Sequence, residues 1–185
     1  MILFFGPAGA GKSLQGQLLS VRHGWKWLST GKLLRESDNP EVIKHIGEGN
    51  LVSDELMYQV LDDALSDSKN ADNFISDGFP RTIEQAKWLM GHQKEHEYNI
   101  DVAIVFEVPR QELVNRLGAR GRSDDTPEAI DIRLGIYRKE IYPILDFLND
   151  KNVPIVHLSG VGTVGQVHDA INDELTNRGL TSKGQ

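Results

Sequence analysis

The sequence predicts an α/β protein with a five-stranded parallel sheet and helices on both faces. Short apolar runs alternate along the chain with longer stretches of helical periodicity, which is typical of right-handed βαβ crossovers. One run, Val102–Val108, is almost continuously apolar, as expected of a strand that is covered on both faces. The length of 185 residues suits a single domain with small insertions.

The predicted elements alternate regularly in chain order. Strands are expected at Ile2–Phe5, Trp25–Ser29, Phe74–Ser76, Val102–Val108 and Val153–Leu158. Helices are expected at about 11–23, 40–48, 53–66, 82–91, 110–118, 127–149 and 164–178. The clearest helix start is Thr126-Pro127-Glu128, because threonine is a good N-cap, proline suits the first helical position and glutamate favours the first turn.

The segment between the first strand and the first helix carries the most specific motif. Gly6-Pro-Ala-Gly-Ala-Gly-Lys12-Ser13 matches G-x-x-x-x-G-K-[ST] in full. Its glycines let backbone N–H groups point at phosphate oxygens, and the helix N-terminus adds partial positive charge. Lys12 is expected to reach the β- and γ-phosphates, and the Ser13 hydroxyl to coordinate Mg²⁺. We interpret this segment as a nucleotide-binding loop rather than a glycine-rich turn without a ligand.

Two segments interrupt the alternation without strands of their own. The first, about 30–52, is rich in small, polar and charged residues, and the second, Gly118–Thr126, is very polar and rich in arginine. We expect both to be mobile covers over the phosphate site.

Composition limits the partners and the location of the protein. A net charge of −7 argues against a general binder of nucleic acid or membrane surfaces, since both need excess positive charge. No cysteine is present, which excludes disulfides and thiolate zinc sites. The chain begins with a strand instead of a signal peptide, and no apolar stretch approaches the roughly 18 to 20 residues of a membrane span. We therefore expect a cytoplasmic enzyme. We also expect it to be a monomer.

Further motifs resemble those of the adenylate kinase family. Ser29-Thr-Gly-Lys-Leu-Leu-Arg35 is similar to the family's STGDLLR segment, and Gly49-Asn-Leu-Val-Ser-Asp-Glu55 to its GxLVPDE segment. Asp77-Gly-Phe-Pro-Arg-Thr-Ile-Glu-Gln-Ala86 matches DGFPRTxxQA at every specified position. Arg120-Gly-Arg-Ser-Asp-Asp125, followed by Arg133 and Tyr137, resembles a short lid and the helix after it. With the phosphate loop, these motifs follow the family order between residues 5 and 143.

The resemblance implies a phosphotransferase that converts ATP and AMP into two ADP with Mg²⁺ as cofactor. Within one kinase domain, 1–185, residues 29–52 would form the AMP-binding segment and 119–125 the short lid. Two alternatives stay open: another nucleoside monophosphate kinase, for UMP and CMP or for a broad range of acceptors, and a nucleotide-binding module without transfer activity.

The resemblance also assigns roles to individual residues. Those implied in catalysis are Lys12, Arg81, Arg122 and Arg133. Those on the ATP side are Gly9, Ala10, Gly11, Lys12, Ser13, Leu14, Arg116, Arg120 and Gly162. Those on the AMP side are Thr30, Arg35, Asn50, Leu51, Val52, Gly78, Phe79, Pro80, Arg81, Gln85, Arg122 and Arg133. Ser13 would hold Mg²⁺, and Asp77 would hold it through water.

Elementary electrostatics agrees with this division. Two polyanionic substrates repel each other, so phosphoryl transfer between them needs alignment and charge neutralisation more than covalent help. Arginine suits this work because its planar fork grips two phosphate oxygens and stays charged. A single arginine is more often a solvated surface charge. Several at motif positions of an acidic chain favour phosphate binding: Arg35, Arg81, Arg116, Arg120, Arg122 and Arg133.

Selection of the base depends on Thr30 and Gln85, which match adenine contacts in the family. The Gln85 amide carries a donor and an acceptor, which suits the N1 and amino edge of adenine. Thr82-Ile-Glu-Gln85 also matches the capping box T-x-x-Q. In a capping box the glutamine side chain accepts from the backbone N–H of the N-cap residue instead of contacting a ligand. The sequence leaves both roles open.

Three features depart from the family pattern. Ser13-Leu14 stands where Gly-Thr is usual, and Lys32 stands where aspartate is usual. The stretch from Arg35 to Gly49 is several residues shorter than is typical. Ser13 keeps the general phosphate-loop consensus, but Leu14 removes a threonine hydroxyl near the α-phosphate. The shorter segment bears on AMP affinity and on the geometry of closure.

Overall fold

The computed structural model describes residues 1–47, 52–66, 73–121 and 126–181. Its strands are β1 (Ile2–Phe5), β2 (Lys26–Ser29), β3 (Phe74–Asp77), β4 (Val102–Glu107) and β5 (Ile155–Ser159). Its helices are α1 (Lys12–His23), α2 (Thr30–Arg35), α3 (Pro40–Gly47), α4 (Asp54–Ser66), α5 (Ile83–Gly91), α6 (Arg110–Arg120), α7 (Pro127–Asp150) and α8 (Val164–Asn177). The five strands pair in parallel in the order β2-β3-β1-β4-β5, which confirms the predicted fold class.

Alternate residues of the strands supply the apolar cores on the two faces of the sheet. Ile2 and Phe4 of β1 pack with α1, α6 and α8 on one face, whereas Leu3 and Phe5 pack with α4 and α5 on the other. Helix α7 serves both cores, since Leu134 in its first half joins one and Leu148 near its end joins the other.

The strand order also creates a crevice at the carboxyl ends of β1 and β3. These neighbouring strands are followed by helices on opposite faces of the sheet, because α1 belongs to one core and α5 to the other. Backbone therefore leaves the sheet in two directions at this point, which is where open α/β sheets bind ligands.

A third, smaller apolar cluster lies beside the sheet. Val42 of α3 packs there with Leu56 and Val60 of α4, and Leu33 and Leu34 of α2 contact the same cluster. Helix α2 was not predicted, because six residues that include Gly31 carry little intrinsic signal. It is stabilised by tertiary packing of its two leucines.

Several boundaries differ from those predicted. Helix α6 continues to Arg120, so the first residues of the predicted lid are helical. Strand β3 includes Asp77, one residue more than expected, and β5 begins at Ile155 rather than Val153. In the part of the chain that the structure describes, no helix is long and apolar enough to cross a membrane.

Candidate active site

The loop between β1 and α1 has the conformation that its motif predicts. Gly9 and Gly11 have φ angles of 84° and 96°, in the left-handed region that favours glycine. A Cβ atom on Gly9 would lie 3.0 Å from the Leu117 side chain, so the close approach of α6 also requires glycine there. Gly11 is the N-cap of α1 and offers no side chain to the first N–H groups of the helix. Those N–H groups are therefore available to donate hydrogen bonds to an anion.

Lys12 is the first residue of α1, and its ammonium group turns back towards the loop. Nζ donates to the carbonyl of Gly6 at 2.6 Å and to that of Pro7 at 3.0 Å. Burial lowers the pKa of Lys12 to about 8; the attraction of Asp77 raises this pKa and the repulsion of Arg81 lowers it. A phosphate ligand would supply the negative charge that these surroundings lack.

Ser13 and Asp77 bring two oxygen ligands together at the base of the crevice. Ser13 Oγ donates to Asp77 Oδ2 at 2.6 Å. The Asp77 side chain is buried at the end of β3, while Ser13 is exposed at the start of α1. A hydroxyl and a carboxylate are the hard oxygen donors that Mg²⁺ prefers, and they face the loop that would hold phosphates. These residues fit a magnesium site.

A cavity of about 680 Å³ opens at this crevice, a size that suits small-molecule ligands. It is lined by the loop from Gly6 to Leu14 and by six cationic side chains, Lys12, Arg35, Arg81, Arg116, Arg120 and Arg133. In the described ranges its acidic lining consists of Asp77 and Glu140. The cavity of this acidic protein is thus predominantly cationic, which suits a polyanionic ligand.

Arg116 is held in place on the α6 side of the cavity. Its Nε donates to Glu112 Oε1 at 2.7 Å, and its Nη2 donates to the carbonyl of Gly160 at 2.9 Å. The first contact joins two residues that are one turn apart on α6, and the second joins Arg116 to the loop between β5 and α8. The guanidinium is therefore oriented before any ligand binds. Less side-chain conformational entropy is then lost when a ligand binds.

The opposite side of the cavity is built around Gly78. Its φ is 88°, and a Cβ atom there would lie 2.7 Å from Thr30 Oγ1 and 3.0 Å from Arg81 Nη2. Thr30 Oγ1 donates to the Gly78 carbonyl at 3.2 Å, and Arg81 Nε donates to the same oxygen at 2.7 Å. Arg35, at the end of α2, is exposed on the same side of the cavity. Glycine at position 78 thus lets Thr30 and Arg81, two residues predicted on the AMP side, approach each other.

Gln85 makes contacts that the capping-box pattern only partly anticipated. Its backbone N–H donates to Thr82 Oγ1 at 3.2 Å, as in a capping box. Its side chain does not return to Thr82, however; Oε1 accepts from the backbone N–H of Arg81 at 2.7 Å, and Nε2 donates to Asp54 Oδ1 at 2.6 Å. Both ends of the amide have protein partners, and adenine contact stays a prediction.

The other predicted site residues divide into three groups. Those that line the cavity, besides the loop and the cations, are Thr30, Gly78, Pro80 and Asp77. Those that do not line it are Val52, Phe79, Gln85 and Gly162. Those outside the described residues are Asn50, Leu51 and Arg122.

Phe79 lies next to Gly78 and Pro80 in the chain, but it does not line the cavity. Its side chain is buried in the core and meets Trp88 edge to face, and its carbonyl accepts from Ser76 Oγ at 2.7 Å. The Phe79 side chain therefore packs in the core beside the cavity, and its contact with AMP stays a prediction.

Sequence reasoning missed Glu140, which lines the cavity from α7. The signal was present: Arg133, Tyr137, Glu140 and Ile144 are spaced by three or four residues and share one face of the helix. Extending the periodicity from Arg133 would have found it.

Comparison with known proteins gives one consistent family. The model of the adenylate kinase family matches residues 4–153. An adenylate kinase from Mycolicibacterium paratuberculosis is 40% identical over 172 residues, which cover 90% of this chain and 93% of the relative. One from Mycolicibacterium vanbaalenii is 37% identical over 190 residues, covering 100% and 99% of the two chains. One from Porphyromonas gingivalis is 35% identical over 176 residues, covering 90% of each.

Proposed function

The chain belongs to the adenylate kinase family, and we propose from its cavity how the residues divide the work of the reaction. The enzyme transfers the γ-phosphoryl group of ATP to AMP and yields two ADP, a step of nucleotide biosynthesis. The observation that carries the assignment of roles is the convergence on one cavity of cations from α1, α2, α6, α7 and the loop before α5.

The donor side is formed by the phosphate loop and α6. The backbone from Gly9 to Leu14 would surround the ATP phosphates, and Lys12 would leave the two loop carbonyls to contact the β- and γ-phosphates. Arg116 and Arg120 would lie against ATP, Arg116 in the orientation that Glu112 and Gly160 give it. Gly162 lies in the same loop as Gly160, whose carbonyl Arg116 contacts, and this position supports a backbone contact to the ATP base.

The acceptor side is formed by α2 and the turn after β3. Arg35 and Arg81 would hold the AMP phosphate from two directions, because they project from separate elements into the same cavity. Thr30 and Gln85 would contact the adenine base, and Val52 with Asn50 and Leu51 would wall its pocket. Gly78 and Pro80 line the cavity beside them.

The transfer itself breaks the bond between the γ-phosphorus and its bridging oxygen in ATP while an AMP phosphate oxygen bonds to that phosphorus. The attacking oxygen is already anionic, so the step needs alignment and charge neutralisation rather than a general base. Lys12, Arg81, Arg122 and Arg133 would offset the charge on the group in transit. Ser13 and, through water, Asp77 would hold Mg²⁺, which neutralises charge on the phosphate oxygens when bound.

Two segments would close over the bound nucleotides. Residues 29–52 would move as the AMP-binding segment and 119–125 as the short lid of a single kinase domain, excluding water before transfer. The separate apolar cluster of α2, α3 and α4 supports a segment that can move as a unit. We further propose a monomer, since cations of a single chain line the described part of the cavity. We place this monomer in the cytoplasm.

An acceptor panel tests this function. ATP is incubated with AMP, UMP, CMP or GMP, and nucleotides are separated after a fixed time. We expect two ADP for each AMP consumed and little transfer to pyrimidine nucleotides. Lys12→Ala should lose about 10³-fold in kcat, while Lys26→Ala, an exposed lysine of β2, should change nothing. Equal use of UMP or CMP would favour a broader monophosphate kinase, and ATP binding without transfer would favour an inactive module.

A further inference from the structure

We propose that Asp54, together with the backbone N–H of Arg81, determines which purine the acceptor site selects, by fixing the orientation of the Gln85 side-chain amide. The inference rests on the proposed function, in which Gln85 faces the base of the acceptor nucleotide. Asp54 is the first residue of α4 and does not line the cavity, so it acts through Gln85 as a positioning residue.

The Gln85 amide lies between two groups of opposite character. Nε2 donates to Asp54 Oδ1 at 2.6 Å, and Oε1 accepts from the backbone N–H of Arg81 at 2.7 Å. The residue is only 7% exposed, so water cannot readily replace either partner. Its backbone N–H is also bound, by Thr82 Oγ1, which anchors the start of α5.

These two partners allow a single orientation of the amide. A backbone N–H can only donate, and a carboxylate can only accept. Rotating the amide by 180° would place its oxygen against the Asp54 carboxylate and its NH₂ group against the Arg81 N–H. Both hydrogen bonds would then become repulsive contacts between buried polar groups, which is costly.

The held amide still has hydrogen-bonding capacity for a base. An amide oxygen has two lone pairs, and an amide nitrogen has two hydrogens. The partners in the described part of the chain use one of each. One lone pair and one hydrogen remain, in fixed positions, to accept from one group of a ligand and donate to another.

This fixed pattern matches adenine and opposes 6-oxopurines. Adenine offers a donor at its N6 amino group beside an acceptor at N1. Hypoxanthine and guanine reverse both, with an acceptor at O6 and a donor at N1. A glutamine that could rotate freely would adapt to either edge, whereas the amide that Asp54 and Arg81 hold can pair with adenine alone. The Asp54 carboxylate and the Arg81 N–H therefore supply the discrimination together, each by excluding the rotated amide.

The test compares AMP with IMP as acceptors for wild-type protein and for Asp54→Asn. Asparagine keeps the shape of the side chain, but its own amide can pair with either orientation of Gln85. A rotated Gln85 amide would then be opposed by the Arg81 N–H alone instead of by two groups, so its free-energy cost falls. We expect the ratio of kcat/KM for AMP to that for IMP to fall at least about tenfold, mainly through a lower KM for IMP, because a hydrogen-bonding site rejects mismatched groups strongly. The KM for ATP should not change.

Controls separate this proposal from general loosening and from the proposed function. Asp63→Asn, an exposed residue of the same helix, should keep the wild-type ratio. A variant that only loosens the site would weaken AMP and IMP alike and leave the ratio unchanged. If Asp54→Asn does not fold, Asp54→Ser serves, since a hydroxyl can also donate or accept.

The outcomes are distinct. Failure of wild-type protein to phosphorylate AMP would overturn the proposed function. Wild-type protein that uses AMP and rejects IMP, together with an Asp54 variant whose AMP-to-IMP ratio stays within about twofold of wild type, would overturn the role of Asp54 alone.

Discussion

The Ser13 hydroxyl donates a hydrogen bond of 2.6 Å to Asp77 Oδ2 and so joins the start of α1 to the last residue of β3. Both elements border the crevice at the carboxyl ends of β1 and β3. Asp77 also acts on Lys12, because its negative charge raises the pKa of the lysine against the effect of burial. One aspartate thus connects the predicted metal site with the charge state of the loop lysine.

Asp77→Asn should weaken both functions at once. The variant keeps the shape of the side chain but loses the charge that would hold Mg²⁺, so we expect a lower apparent affinity for Mg²⁺ and about 10²-fold lower kcat. Loss of the nearby anion should also lower the pKa of Lys12 further. Magnesium titration of activity checks the first effect, and an unchanged Mg²⁺ dependence would contradict the assignment of Asp77.

ATP affinity should fall at alkaline pH. Burial lowers the pKa of Lys12 to about 8, so the lysine loses its proton as pH rises through that value. Since phosphate binds the charged form, the Kd for ATP should rise by up to about tenfold per pH unit above pH 8. The Kd for AMP, whose predicted phosphate contacts are arginines, should show no such break. Calorimetric titrations at several pH values measure both, and ATP affinity that stays flat to pH 10 would refute the role of Lys12.

Arg35 and Arg81 should contribute to the binding of AMP and not to the binding of ATP. Replacing either by alanine removes a charge from the predicted AMP phosphate site, so we expect the KM for AMP to rise by about tenfold or more while the KM for ATP changes little. Arg178→Ala is a matched control, because this exposed arginine pairs with Glu174 on α8, away from the cavity. Equal losses of ATP and AMP affinity would show that the division into donor and acceptor arginines is wrong.

Two helical glycines should respond to alanine in opposite directions. A Cβ atom on Gly16 of α1 would lie 2.6 Å from Trp27 Cδ1, whereas one on Gly135 of α7 would meet nothing within 4 Å. Gly135→Ala should stabilise the fold by about 0.5–1 kcal/mol through helix propensity. Gly16→Ala gains the same propensity but overpacks against the indole, and it should destabilise by about 1 kcal/mol net. Urea unfolding measures both, and a stabilised Gly16→Ala would contradict the packing described for α1 and β2.

The fold and the phosphate loop could be predicted because their signals are local. The apolar runs specify β1 and β4, and the spacing of glycines with Lys12 and Ser13 defines the loop that follows β1. Helix α2 could not be predicted, since its six residues are stabilised by Leu33 and Leu34 packing against distant parts of the chain.

The acceptor side shows a second limit of prediction. The sequence indicated Gln85 as a contact for the base and as part of a cap, but the partner of its amide is Asp54, 31 residues away. A hydrogen bond between two helices depends on how α4 and α5 pack, and no periodicity within either helix contains that information. In contrast, the Glu112–Arg116 pair is spaced by one helical turn and is visible in the sequence.

One cavity should hold ATP and AMP together, with Lys12 on the donor side and Arg81 on the acceptor side. P1,P5-di(adenosine-5′) pentaphosphate presents two adenosines on one phosphate chain, so a site of this kind should bind it with less entropic cost than two separate ligands. Calorimetric titration should give one molecule per chain, with a Kd at least about 100-fold lower than that of ATP or AMP, and competition with both nucleotides. Lys12→Ala and Arg81→Ala should each weaken this binding. Binding of two molecules per chain, or competition with ATP alone, would show that ATP and AMP do not share one cavity.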